Sequence, residues 1–185
     1  MDITNKLITI LQMVNDWLKF AEAKNAVLLT FSGAGITAIV TYISTSTNTP
    51  NSLRIGLIVS VVFLCISSLV CSLSFLPKTD IEYFIWAKSK PSRKSISQIK
   101  DTDNFYFFNS LKKYEPSDLL ESMNRVYFQD QIQTPYKRED LDIANQIILN
   151  SEIASTKFTF FRFALWILIF SIFITLVSLL ISLIL

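Results

Sequence analysis

Charged and apolar positions separate sharply along this chain of 185 residues. Residues 26–43, 55–76 and 163–185 contain no Lys, Arg, Asp or Glu. At about 1.5 Å rise per residue, helices over these stretches reach roughly 27, 33 and 34 Å, and a bilayer's hydrocarbon core is about 30 Å thick. Each can cross a membrane once. A soluble bundle of three buried helices is the other use for such stretches, but too few polar residues remain to cover them. A long polar region, residues 77–162, lies between the second and third. The pattern predicts an all-α membrane protein with three transmembrane helices and a helical domain between spans two and three. The expected parts are an amphipathic N-terminal helix (1–25), a transmembrane hairpin (26–76), a polar helical domain (77–162) and a third span (163–185).

Ahead of span one, Ile3, Leu7, Ile10, Leu11, Val14, Trp17, Leu18 and Ala21 recur at helical spacing, with Asp2, Asn5, Lys6, Asp16 and Lys19 off the stripe. Such a helix can lie on a membrane surface, where Trp17 and Phe20 suit the interface, or pack on the polar domain. No Gly or Pro separates it from span one, so the two can form one helix. The prolines punctuate the rest. Pro50 falls in the turn between spans one and two, and Pro77 ends span two. Pro91 breaks the next segment, and a basic Ser-rich stretch follows at 92–100. Pro116, followed by Ser117, Asp118 and Glu121, marks a first helical turn. The run Phe105–Phe108 suits a buried strand or a helical turn, and we take it as helical. From Tyr136 onward there is neither Gly nor Pro. Leu141, Ala144, Ile148, Ser151, Ser155 and Phe158 fall on one seam leading into span three. This predicts a single helix about 75 Å long. Ser151 and Ser155 either admit a close neighbour or face water.

Composition then removes most chemistry. There is no His, and the three Gly are Gly33, Gly35 and Gly56, all within the first two spans. A phosphate-cradling loop needs Gly where backbone amides approach the ligand, so a P-loop, a dinucleotide fingerprint or a glycine-rich cyclic-nucleotide cassette cannot be written in 77–162. Ser-His-Asp and Cys-His catalysis and His-ligated metal sites are excluded with them. Asp and Glu are scattered among Lys and Arg as on a solvated helix face, so no enzyme activity, cofactor or metal is expected. Cys65 and Cys71 lie in span two, about 9 Å apart along a helix, too far for a disulfide within it.

Charge placement orients the chain. Thirteen of the seventeen Lys and Arg fall between Lys78 and Arg162, while the turn between spans one and two carries only Arg54. Cytoplasmic loops are enriched in Lys and Arg. The expected topology is N-terminus inside, turn outside, polar domain inside and C-terminus outside. Span one lacks the basic patch directly before a short apolar run that marks a cleavable signal, and is expected to be retained.

Small and hydroxylated residues form one face on each span: Thr30, Gly33, Thr37, Thr41 and Ser44; Ser60, Ser67, Cys71 and Ser74; Ser171, Thr175, Ser178 and Ser182. Small residues let membrane helices approach and hydroxyls bond across them. Two readings stand: ordinary helix packing, or faces that line a wet path in some state. Charge-free spans argue against an ion-coupled pump or a voltage sensor.

Glu22-Ala23-Lys24-Asn25-Ala26, leading into Leu28-Leu29-Thr30-Phe31-Ser32-Gly33-Ala34, resembles the opening of the Pycsar-type transmembrane effectors of bacterial antiphage defence. The run Asp103-Asn104-Phe105-Tyr106-Phe107-Phe108, then Pro116 to Met123, is similar to the middle of the same family. The resemblance continues through Asp140-Leu141, Gln146-Ile147, Asn150-Ser151, Ile153-Ala154 and Lys157. It implies a membrane effector switched on by a cyclic nucleotide second messenger made by a partner cyclase, acting as a homo-oligomer that impairs the inner membrane. The lipid membrane is then a partner, and no nucleic-acid polymer is expected. A non-conducting membrane adaptor or scaffold is the rival. With no glycine-rich cassette, a ligand site would be built from cations and aromatics of the polar domain. Lys112, Lys113, Arg125, Lys137 and Arg138 are the candidates for phosphate, and Tyr106, Tyr114 or Tyr127 for stacking on a base.

Overall fold

The computed structural model describes residues 2–76 and 103–184. Pro77, Pro91 and the basic stretch at 92–100 lie outside the described residues. Those described form helices α1 (Ile3–Thr45), α2 (Asn51–Leu73), α3 (Phe108–Leu111), α4 (Pro116–Phe128) and α5 (Arg138–Ile184), with no strand among them. Three of these, α1, α2 and α5, are long and apolar enough to cross a membrane.

α1 is one unbroken helix of 43 residues, as a stretch without Gly or Pro before span one allows. α5 is unbroken over 47 residues, starting where Pro135 is left behind and carrying Glu139 and Asp140 in its first turn, where negative charge suits the helix dipole. α4 has Pro116 in its first turn and Asp118 beside it. It ends at Gln129, which adopts the left-handed conformation (φ 52°), followed by Asp130 (φ 60°). The aromatic run is resolved differently from the helix expected. Phe105 and Tyr106 form a turn and only Phe108 enters α3. The Tyr106 N–H bonds the Asn104 side chain at 2.9 Å, an Asx-type turn that competes with helix.

The chain divides into two compact units, residues 1–21 with 78–156 and residues 22–77 with 157–185. In the first unit, Ile3, Leu7, Ile10 and Val14 present one face of α1 to Leu111, Leu119, Leu120, Met123, Ala144 and Ile147, and all are buried. The amphipathic stripe is therefore a core stripe. Trp17 stacks among Phe107 and Phe108 at centroid distances of 6.3 and 5.7 Å. Ser151 is fully buried, and Asn150 donates to Asn15 at 2.8 Å, so the small seam of α5 takes a close helical neighbour.

In the second unit the three spans pack together. Leu28, Leu64, Cys71, Ala164 and Leu168 form its apolar centre. α2 and α5 run antiparallel and close through the small residues of their stripes. Ser60 donates to the Ser171 carbonyl (3.2 Å) and Ser171 donates back to the Ser60 carbonyl (2.9 Å). Thr175 donates to the Ser60 hydroxyl (2.8 Å), and Ser67 to the Ala164 carbonyl (2.9 Å). These hydroxyls have no water to turn to in a bilayer, so bonding across the seam satisfies them where an unbonded group is costly. The α1 stripe is different. Thr30, Thr37 and Ser44 are exposed and bond the carbonyls of Ala26, Gly33 and Val40 on their own helix. Gly33 has open space beside it.

Where the charge-free stretches begin, one cation is built into the unit. Lys157 is 8% exposed; its ammonium donates to Glu22 Oε1 at 2.9 Å and to the Ser74 carbonyl at 3.0 Å. Its own carbonyl accepts from Asn25 at 3.2 Å. One residue of α5 thus ties the membrane part of α1 to the end of α2.

Candidate functional site

Among the described residues of the first unit, two concavities are large enough for a small molecule. One, of about 440 Å³, is lined by Asp2, Ile3, Ile132, Gln133, Pro135, Tyr136, Lys137 and Asp140. The other, of about 420 Å³, is lined by Lys6, Tyr127, Phe128, Gln129 and Gln131. Both fall within the roughly 300–1,000 Å³ typical of ligand pockets. The loop that separates them is held by one side chain. Asn124, buried in the last turn of α4, donates to the Ile132 carbonyl at 3.1 Å and accepts from the Ile132 N–H at 3.2 Å. Together with the left-handed Gln129 and Asp130, this folds residues 129–133 back beside α4.

The two concavities differ in charge. The first holds Lys137 but also Asp2 and Asp140, and Asp140 is buried and accepts a 2.7 Å bond from Thr4. The second carries Lys6 as its ionic group. The Lys6 ammonium stands 4.7 Å from the Tyr127 ring centroid and 5.0 Å from that of Tyr106, within cation–π range of both. Among the described residues no carboxylate lies within ion-pair reach of Lys6. Burial raises the Tyr127 phenol above its ordinary pKa, neighbouring Tyr106 adds to the rise, and Lys6 opposes it. Tyr127 therefore keeps its proton at neutral pH and can donate. Phe105 packs edge-on against Tyr127 at 5.6 Å and fixes the ring from behind.

The candidates named from sequence scatter over this unit. Tyr106 joins Lys6 and Tyr127. Lys113 is ion-paired with Asp103 at 2.6 Å, and the buried Tyr114 donates to the other oxygen of Asp103 at 2.8 Å. Lys112 donates to Ser155 at 2.8 Å. Arg138 pairs with Asp142 on the exposed start of α5, Arg125 is exposed on α4, and Lys137 lines the more acidic concavity. Sequence reasoning passed over Lys6, Gln129, Gln131 and Asn124. Lys6 stood off the apolar stripe of its helix, a position that says only that it avoids the core. Among the described residues no group of three or more Cys, Asp or Glu is arranged to hold a metal ion.

The fold defines a class: a helical membrane protein in which three spans accompany a helical unit bearing small-molecule concavities. The Pycsar effector protein domain matches residues 6–184, nearly the whole chain, and the protein belongs to that family. It is an antiphage-defence transmembrane effector. No curated protein and no solved structure is detectably similar to it.

Proposed function

We propose that this effector is activated by a cyclic nucleotide and impairs the bacterial inner membrane as a homo-oligomer. A neighbouring nucleotide cyclase supplies the ligand, and the N-terminus is cytoplasmic. The observation that carries the reading is the pairing, in one Pycsar-family chain, of a unit that offers cations and aromatic faces to a ligand with charge-free spans. The nucleotide binds in the first unit, and of the residues named from sequence Tyr106 and Tyr127, whose rings face the Lys6 ammonium, are its proposed contacts. Three spans cannot enclose a conduit alone, so several copies act together. Binding shifts the balance of resting and active states only by its differential affinity for the two, and about 5.5 kcal/mol carries 1:99 to 99:1.

The test is dye release from liposomes holding the purified protein, on addition of each 3′,5′-cyclic mononucleotide and of cyclic dinucleotides, with calorimetry for binding. Release that follows binding of one of them is expected. Absence of both binding and release overturns the reading and favours a non-conducting adaptor.

A further inference from the structure

Lys6, Tyr106 and Tyr127 come from three separate stretches of the chain, yet the Lys6 ammonium faces both rings at the edge of a concavity lined by Lys6, Tyr127, Phe128, Gln129 and Gln131. The usual reason for a lysine over aromatic rings is packing: the stem covers apolar surface and the ammonium remains in water. Three features go beyond that. The cation has no carboxylate to neutralise it among the described residues. Two rings, not one, face it. Beside them Gln129 and Gln131 line the concavity together with Phe128; their amides can both donate and accept, and their loop, left-handed at Gln129 and Asp130, is tied down by Asn124. A cation, a stacking face and amide edges are the three kinds of group a nucleotide offers partners for: its phosphate, its ring face and its ring edge.

We infer that the concavity of Lys6, Tyr127, Gln129 and Gln131, with Tyr106 on the other side of the Lys6 ammonium, is the binding site for a ligand joining one phosphate to a heteroaromatic ring. Lys6 takes the phosphate, Tyr127 stacks on the ring and Gln131 reads its edge. The lysine's flexible stem lets it follow the phosphate while the ring face passes to the ligand. The acidic concavity around Asp2 and Asp140 is unsuited to the same ligand, because two carboxylates repel a phosphate that one Lys137 attracts. Phosphate selection therefore falls to a residue of α1, a helix whose further course is a membrane span.

This inference rests on the proposed activation by a cyclic nucleotide, and the test separates the two. The full-length protein in detergent micelles is titrated with the four 3′,5′-cyclic mononucleotides, with inorganic phosphate and with the matching nucleosides. For the cyclic mononucleotide that the wild type binds, Lys6→Gln is expected to weaken binding at least about tenfold, while the nucleoside's weaker binding is unchanged. Tyr127→Leu is expected to cost about tenfold or more and Tyr127→Phe to restore most of it, since stacking needs the ring and not the hydroxyl. Lys137→Gln, in the other concavity, is expected to leave binding as it was. Melting curves matching wild type establish that the variants are folded. Gln131→Ala, at an exposed position, tests the same site should Lys6→Gln fail to fold. Wild-type binding that survives Lys6→Gln and Tyr127→Leu, or that falls with Lys137→Gln, overturns the site. A wild type that binds no cyclic mononucleotide overturns the site and also removes the mononucleotide arm of the proposed function.

Discussion

Gly56 of α2 lies directly against Ser178 of α5, so that a Cβ built on Gly56 would overlap both Cβ and Oγ of Ser178. The two backbones approach there because neither residue holds them apart, and the Ser60–Ser171 bonds lie further along the same seam. Gly56→Ala is expected to push α2 off α5 and destabilise the second unit by about 1–3 kcal/mol, the usual cost of overpacking. Gly33→Ala, at a position with open space, is expected to leave stability unchanged or raised. Thermal unfolding in a fixed detergent compares them, and equal midpoints for the two variants would contradict the close approach.

Lys157 is expected to be more sensitive than its partner. Glu22 has a side chain 46% exposed, so water screens its charge, and Glu22→Gln should cost only about 1 kcal/mol. Lys157→Met removes the donor from the buried Ser74 carbonyl as well, and a buried acceptor left unbonded costs about 1–3 kcal/mol. Unfolding midpoints of the two variants should fall in that order. The reverse order would mean that the ion pair, and not the carbonyl, carries the contact.

Ile153 lies within the uninterrupted α5, shortly before its sequence passes from the first unit to the second. Proline there removes a helix hydrogen bond and clashes with the preceding turn, at a cost of about 3 kcal/mol. Ile153→Pro is expected to keep nucleotide binding within about twofold and to lose nucleotide-triggered dye release. Normal release from this variant would show that α5 does not transmit the signal.

Topology can be read chemically. On a Cys65→Ser, Cys71→Ser background, a cysteine at Thr47 should react with a membrane-impermeant thiol reagent added outside intact cells. A cysteine at Gln133, exposed in the first unit, should react only after the cells are opened. The opposite pattern would place the ligand-facing unit outside and rule out sensing of a cytoplasmic messenger.

Features set by near neighbours along the chain were legible before any coordinates. Runs without charge marked the three spans, because crossing a bilayer depends on local length and apolarity. Pro116 marked the start of α4, and the absence of Gly and Pro after Tyr136 marked the unbroken α5. The Phe105–Phe108 run misled because four aromatics have no period of their own, and the Asn104 side chain decided in favour of a turn. What escaped were pairings between distant positions. Asp103 engages Lys113 and Tyr114 together, and Ser155 engages Lys112. Nothing local tells a solvated lysine from a bonded one. The stripes on all three spans looked alike as sequence, yet those of α2 and α5 close on each other while that of α1 stays open. Lys6 is the clearest case. Its helix and its place off the apolar stripe follow from periodicity, but the two tyrosines that flank it lie some hundred residues away. Only packing Ile3, Leu7 and Ile10 against α4 and α5 brings that cation to their rings, because burial of an apolar face carries every polar residue on the same helix to a fixed place.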